Sequence, residues 1–295
     1  MFNMSRQRTI LITGCSEGGL GDALARALHQ HGQRVIATAR NPAKMAHFGE
    51  LGIETLTLDV LSPASISMCV AAVAEKTGGA LDMLINNSGG GYPMPLTDAD
   101  LDASRQLFEL NVWAVLAVTQ AFVPLLLKSE HGAVIANNTS VASVVPMPMG
   151  GIYCASKAAA AMLTENLRIE LSPFNIKVVD LKTGAVKTSF FNNQIGGAKP
   201  SLPKSSIYNV AKADIEKVLA GASFEKDMVD RDQWAQQVVA DLLSKSPSAQ
   251  IWKGGSAFLT WFSRRFLPFT FLDSTLLQIG ALDVVKKNLG SVQSS

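Results

Sequence analysis

Residues Thr9–Gly21 read TILITGCSEGGLG. Thr9 to Thr13 is a short β-branched run bounded by glycine, the pattern of a buried strand. Gly14 to Gly21 is a glycine-rich turn, and the following DALARALHQHG has the spacing of an amphipathic helix. Strand, glycine turn and helix in that order let the backbone approach a pyrophosphate. The free N–H groups and positive dipole end of the helix then face it. Outside that setting a glycine cluster is more often only a turn.

Working outward, strand-like runs recur at Arg34–Ala39, Glu54–Val60, Leu81–Gly91, His131–Ser140 and Asn175–Leu181, with a last short one at Ala249–Trp252. Helical patterns fill Pro63–Lys76, Asp100–Lys128 and the stretch from Tyr153 to Leu171, which Pro173 stops. This alternation predicts an α/β fold, a Rossmann-type doubly wound parallel sheet of about seven strands with helices on both faces. Ligands in such folds bind beyond the carboxyl ends of the strands. The expected organisation is one domain over 1–253, with a substrate lid at 188–230, followed by a helical extension over 254–295.

The polar residues at those strand ends carry the chemistry. Arg40 closes the second strand with no acidic residue beside it. An acid there would suit the 2′-hydroxyl of NAD, whereas a guanidinium suits the 2′-phosphate of NADP(H). Asp59 closes the third strand, where a carboxylate accepts from the adenine amino group. Asn86 to Gly90 follow the fourth. Asn111 interrupts a helical run, which is mildly unfavourable and draws notice. Ser140 ends the fifth strand, and Tyr153 and Lys157 share one helix face at i, i+4 spacing. A lysine ammonium beside a phenol favours the phenolate and is expected to lower its pKa. Ser140 then holds a carbonyl oxygen while Tyr153 supplies its proton, the chemistry that hydride addition to a ketone needs.

Composition narrows the classes. The formal net charge is +2 with no long basic run, so no nucleic-acid partner is expected. Cys15, Cys69 and Cys154 are far apart, and the histidines form no ligand motif, so no metal is expected. The N-terminal stretch lacks an apolar signal core. Gly254 to Leu282 is rich in Phe, Leu and Trp, its uncharged runs split by Arg264 and Arg265. Two readings stand side by side: a cover for a pocket or oligomer interface, or a helix lying in a membrane interface with arginines at headgroup level.

Together, TGCSEGGLG, NNSGG, Asn111, Ser140 and YCASK resemble the short-chain dehydrogenase/reductase family over roughly residues 8 to 190. The resemblance implies a catalytic tetrad of Asn111, Ser140, Tyr153 and Lys157, with Asn111 anchoring a water in a proton relay. It also implies that Gly14, Ser16, Gly19, Leu20, Gly21, Asn87, Gly89, Val186 and Thr188 meet the cofactor, along with Arg40, Asp59, Asn111, Tyr153 and Lys157. Two departures stand out. The glycine turn carries one extra residue, expected to be absorbed at Gly18-Gly19, and Thr183-Gly184 replaces the family's proline-glycine.

SSIYNV at Ser205, WAQQVV at Trp234, IWKGG at Ile251 and the aromatic tail are similar to fungal NADPH-dependent 1-acyldihydroxyacetone-phosphate reductases. That resemblance implies a hydrophobic ketone or lipid substrate and a cytoplasmic enzyme. It also implies peripheral contact with endoplasmic reticulum or lipid droplets through 254–282. Reductases of fungal secondary metabolism are similar too, and imply a polyketide-type ketone. Family habit implies a homo-oligomer, dimer or tetramer. Alcohol oxidation, a non-catalytic NADPH-binding role and a non-reductive cyclase or isomerase are the rival readings.

Overall fold

The computed structural model describes residues 7–130, 132–192, 194–195 and 200–293. His131, at the start of the expected fifth strand, and residues 193 and 196–199 of the expected lid lie outside the described residues. The strands are β1 (Thr9–Thr13), β2 (Arg34–Ala39), β3 (Glu54–Thr57), β4 (Met83–Asn86), β5 (Ala133–Asn138), β6 (Ile176–Thr183) and β7 (Gln250–Lys253). They form one parallel sheet in the order β3-β2-β1-β4-β5-β6-β7. The order reverses between β1 and β4, which opens a crevice above their carboxyl ends.

The helices are α1 (Leu20–Gln30), α2 (Phe48–Leu51), α3 (Pro63–Thr77), α4 (Leu101–Phe108), α5 (Ala114–Leu126), α6 (Gly151–Glu170), α7 (Lys212–Leu219), α8 (Arg231–Leu242), α9 (Ala257–Phe266), α10 (Asp273–Ile279) and α11 (Leu282–Gln293). Strand side chains alternate between faces, so β1 feeds two cores. Ile10 and Ile12 join Leu24 and Leu28 of α1 and Trp234 of α8. Leu11 joins Val73 of α3 and Phe122 of α5. With both faces covered, the central strands are continuously apolar, as parallel strands require. The run Leu101–Leu126 is long and apolar enough to cross a membrane by length and composition alone. Its apolarity is accounted for by Val118, Phe122, Leu125 and Leu126, which pack against the sheet.

Strand ends depart from the sequence reading in both directions. β3 stops at Thr57 rather than Val60, because Asp59 turns the chain by accepting from the Leu61 N–H at 3.1 Å. β4 stops at Asn86, before the glycines. β6 runs on past the expected end at Leu181 through Lys182 and Thr183, because β7 pairs with it as far as Lys253. Between α4 and α5, Glu109–Trp113 forms a π-helical turn. The mid-helix asparagine is thus the mark of a widened turn, a feature that recurs at functional sites.

A third, smaller core joins Leu202, Ala211, Ile215 and Leu219 to Met149 and Ala281. It ties the 200–219 segment to the C-terminal helices.

Candidate active site

The glycine turn absorbs its extra residue at Gly18, whose φ of +79° is left-handed. The Gly18 N–H is held by Asp22 Oδ2 at 3.1 Å, from the first turn of α1. Gly21 must lack a side chain for another reason: a Cβ there would fall 2.5 Å from the Gly14 carbonyl oxygen and 2.6 Å from Asn87 Nδ2. The turn is folded back on the ends of β1 and β4, and α1 starts directly beneath it.

One cavity of about 1020 Å³ lies over the carboxyl edge of the sheet. Gly14, Ser16, Gly19, Leu20, Arg40, Asp59, Asn87, Gly89, Ser140, Tyr153, Lys157, Val186 and Thr188 all line it. Two expected contacts do not. Gly21 is spent on the close packing just described. Asn111 is buried behind the wall, where its amide pairs with both backbone groups of Gly90 at 3.0 Å and donates to Ser156 Oγ at 3.0 Å. Ser156 Oγ in turn donates to the Tyr153 carbonyl at 2.7 Å. Asn111 therefore locks the loop after β4 to the first turn of α6.

Asn87 lines the cavity, yet its side chain is occupied. Nδ2 donates to the carbonyls of Thr13 and Gly14 at 2.9 and 3.1 Å, and Oδ1 accepts from Asn138 at 2.9 Å. Asp59 likewise spends one oxygen on its turn. Lys44 was not singled out from the sequence, and it lines the same end of the cavity as Arg40. Asn41 caps a short 3-10 turn at Pro42–Met45 and brings the lysine round. The Asn-Pro pair two residues ahead of it was the available signal. Neither cation has an ion-pair partner among the described residues.

Tyr153 and Lys157 rise from the first turns of α6. Burial pushes the Tyr153 phenol up to about 12, while its hydrogen bond to Ser140 pulls the other way. Burial draws the Lys157 ammonium down to about 8, opposed by the charge of Asp180. The expected depression of the phenol by the lysine is therefore corrected: desolvation is the larger effect. Lys157 Nζ turns to the Asn138 carbonyl at 2.9 Å and lies 5.9 Å from the Tyr153 ring centre. Ser140 Oγ accepts from the Ala142 N–H at 3.1 Å, which fixes the hydroxyl beside the phenol.

The Thr183-Gly184 loop is held without proline. A Cβ on Gly184 would stand 2.1 Å from the Gly255 carbonyl oxygen, so two backbones touch there. Gly184 N–H donates to Lys253 O at 2.8 Å, and Ala185 and Gly255 exchange N–H···O bonds at 3.0 and 2.9 Å. The IWKGG motif supplies the rigidity. Beyond this seam the inner faces of α9 and α10 close the cavity through Leu259, Thr260, Leu272, Leu276 and Ile279. Among its described residues, the segment expected as the lid lines the cavity at Thr188–Phe190, Gln194, Ile195, Asp227 and Met228. The 200–219 part instead packs against Met149 and Ala281.

Residues 8–197 match the family model for short chain dehydrogenases. A short-chain dehydrogenase/reductase of Pestalotiopsis microspora is 44% identical over 97% of this chain and 98% of its own length. The NADPH-dependent 1-acyldihydroxyacetone phosphate reductase of Schizosaccharomyces pombe is 33% identical over 85% of this chain and 84% of its own. A crystal structure of a short-chain dehydrogenase from Streptomyces avermitilis superposes with a TM-score of 0.75 at 25% identity, covering 96% of this chain and 98% of that one. The chain belongs to the short-chain dehydrogenase family, a class of oxidoreductases built on this sheet.

Proposed function

We propose that the protein is an NADPH-dependent reductase of an uncharged, hydrophobic ketone. The observation that carries the substrate class is the distribution of cations. Arg40, Lys44 and Lys157 are the Lys and Arg side chains among the described lining residues. The first two sit at the adenosine end, beside β2. Past Tyr153 the wall is Val141, Val145, Pro146, Met147, Pro148, Phe190 and Ile195, closed by α9 and α10, with Asp227 as its charged member. A phosphate carries close to two negative charges and needs charge-assisted donors when it leaves water. The substrate end offers none of these from Lys or Arg among the described residues. Arg264 lies 4.5 Å from the Phe269 ring centre, outside the cavity lining.

The cofactor fits the other end. Arg40 and Lys44 are cations without an ion-pair partner among the described residues, where a 2′-phosphate would lie, and the S. pombe relative is NADPH-dependent by name. When bound, the nicotinamide supplies a hydride to the carbonyl carbon. Tyr153 remains protonated at neutral pH, because its pKa stands at about 12. It is thus a proton donor to the carbonyl oxygen, and the adjacent Ser140 hydroxyl bonds the same oxygen as negative charge develops. Lys157, largely charged near neutrality, supports that charge from the next helical turn. Asn111 keeps the Gly90 loop and the Tyr153 turn in register.

The test is NADPH oxidation at 340 nm against three ketone sets: acyl-dihydroxyacetone phosphate, long-chain keto lipids without phosphate, and aromatic polyketide ketones and quinones. Turnover of the uncharged sets supports the reading. Preference for the phosphate ester would overturn it and restore the acyl-ester substrate. Silence on all three with NADPH still bound would favour the non-reductive rivals.

The outer face of α9 and α10 favours a second contact, with a lipid surface. Phe258 is 72% exposed and Phe269 76%, with Phe262, Phe266 and Phe271 beside them in sequence and Arg264 and Arg265 at the end of α9. Their inner face lines the cavity, so a ketone dissolved in lipid would reach the site through one layer of helix. Co-sedimentation with vesicles containing anionic lipid checks this. Binding lost in the Phe258→Ser/Phe269→Ser variant supports the contact. A change of oligomeric state without vesicle binding would assign the face to a second copy.

A further inference from the structure

The β6 residues Asp180 and Lys182 are i, i+2 on one strand and so share a face. Their side chains are 1% and 3% exposed, and Lys182 Nζ stands 2.5 Å from Asp180 Oδ2. Withdrawing two charges from water is costly, and an apolar pair of similar volume commonly serves stability as well or better. The pair therefore calls for an account beyond packing.

Its other contacts supply one. Thr139, immediately before Ser140, donates its hydroxyl to Asp180 Oδ1. Lys182 Nζ donates to Ser143 Oγ at 2.8 Å, and Ser143 Oγ donates to the Ser140 carbonyl at 2.6 Å. The carboxylate thus grips the residue before Ser140, and the ammonium grips the turn after it. Trp252 of β7 lies over Lys182, its ring centre 6.0 Å from Nζ, and screens the pair on another side. The Ser140 hydroxyl itself donates to the Thr183 carbonyl at 3.3 Å, one residue beyond Lys182. Four successive β6 residues, from Asp180 to Thr183, thereby set the turn that presents Ser140 to Tyr153, since the Leu181 carbonyl also accepts the Thr139 N–H at 3.0 Å.

We propose that Asp180 and Lys182 are positioning residues that clamp the Ser140 turn from both sides and so fix its hydroxyl beside the reacting carbonyl. The inference rests on the reductase reading of Ser140 given above. An apolar pair would fill the space but offers no acceptor to Thr139 and no donor to Ser143. The sequence hides this device. Both sit in a strand, IKVVDLKT, that also carries Lys177 and Thr183, so nothing in its pattern marks them, and the turn they hold is some 40 residues upstream, as in the Thr139–Asp180 bond with a separation of 41.

The experiment is a double-mutant cycle between Asp180→Leu/Lys182→Met, which removes the acceptor, the donor and both charges together, and Ser140→Ala. Steady-state kinetics are read with NADPH and the best ketone, and NADPH affinity by nucleotide fluorescence. The expected result is a fall in kcat of about tenfold from the paired change, with NADPH affinity within about twofold, and almost no further fall once Ser140 is already alanine. An equal fall in both backgrounds would show that the pair does not act through Ser140 and overturns the proposal. Unchanged kcat with Ser140 intact overturns it as well. If Ser140→Ala itself leaves kcat intact, the catalytic reading of Ser140 fails, and this inference with it.

Should the paired variant not fold, Ser143→Ala cuts the same linkage and leaves both charges paired. A smaller kcat loss of about threefold is then expected, again absent in the Ser140→Ala background. Full kcat in Ser143→Ala would overturn the ammonium side of the clamp.

Discussion

The two ends of the cavity are made in opposite ways. The cofactor end is built from the carboxyl ends of β1, β2, β4 and β5, where backbone and short polar side chains are hydrogen-bonded to one another. Asn87 alone ties β1 to β5. The substrate end is built from loop segments and from α9 and α10, elements that follow the sheet in sequence and present mainly apolar side chains. One end carries the cations Arg40 and Lys44, and the other, among the described residues, offers no Lys or Arg to the cavity. The comparison teaches that the chemistry of this enzyme is held by strand register, while its substrate class is held by side-chain packing. The second can therefore be altered with less damage to the fold.

The largest effect should come where the two ends meet. Tyr153→Phe removes the hydroxyl proposed as proton donor and keeps the ring that packs edge-on to Phe190, with centroids 5.7 Å apart. A loss of kcat of about 10³-fold is expected, with NADPH binding retained. A variant that binds NADPH and still turns over within tenfold would break the comparison at its centre.

Next in size, Arg40→Ala and Lys44→Ala should each raise the KM for NADPH by about 10- to 100-fold and leave that for NADH nearly unchanged, because each would remove a proposed charge-assisted bond to the 2′-phosphate. Equal effects on both cofactors would remove the electrostatic character assigned to that end.

At the other end, Ile279→Lys places an ammonium in the mainly apolar wall. The expected outcome is a fall of about tenfold in kcat/KM for uncharged ketones and a relative gain for phosphorylated ones, measured side by side. No change in the ratio would mean that Ile279 does not face the substrate.

The smallest effect concerns pH. Burial holds Lys157 at about 8, below its ordinary 10.5, so between those values the unfolded chain binds more protons than the folded one. Stability is therefore lowest relative to the apolar variant below pH 8 and should rise as pH passes from 8 to 10.5, as this ammonium ceases to be buried. Reductive kcat should fall as pH passes through about 8, where the lysine of the folded enzyme loses its charge, while Tyr153 keeps its proton. Melting temperatures of the wild type and Lys157→Met, compared across pH 7 to 10 in steps of about one unit, check the sign: the difference between them should narrow with rising pH.

Much of the cofactor end was legible in the chain. TILITGCSEGGLG carried its own strand, turn and helix, and Tyr153 and Lys157 are four residues apart on one helix, so their proximity needs no tertiary information. Asn111 drew notice because it sat badly in a helical run, although its role differs from a direct contact: it joins Gly90 to Ser156 behind the wall. The phenol's pKa was misjudged because spacing reports the neighbouring charge and not the depth of burial. Lys44 was missed because a capped turn, and not a regular element, brings it to Arg40. The tail could be read as a membrane helix or as a pocket cover. The fold shows that its inner face lines the cavity while its outer aromatics stand exposed.

The sequence by itself determined the α/β alternation, the glycine turn and the Ser140, Tyr153 and Lys157 set, because each depends on periodicities and spacings confined to one or two neighbouring elements. The tertiary structure alone decided that Thr183-Gly184 is braced by Gly254-Gly255, that Asp180 and Lys182 hold the Ser140 turn, and that no Lys or Arg among the described residues lines the substrate end. Each of these depends on which distant segments the parallel sheet lays side by side, and a linear chain does not display that adjacency.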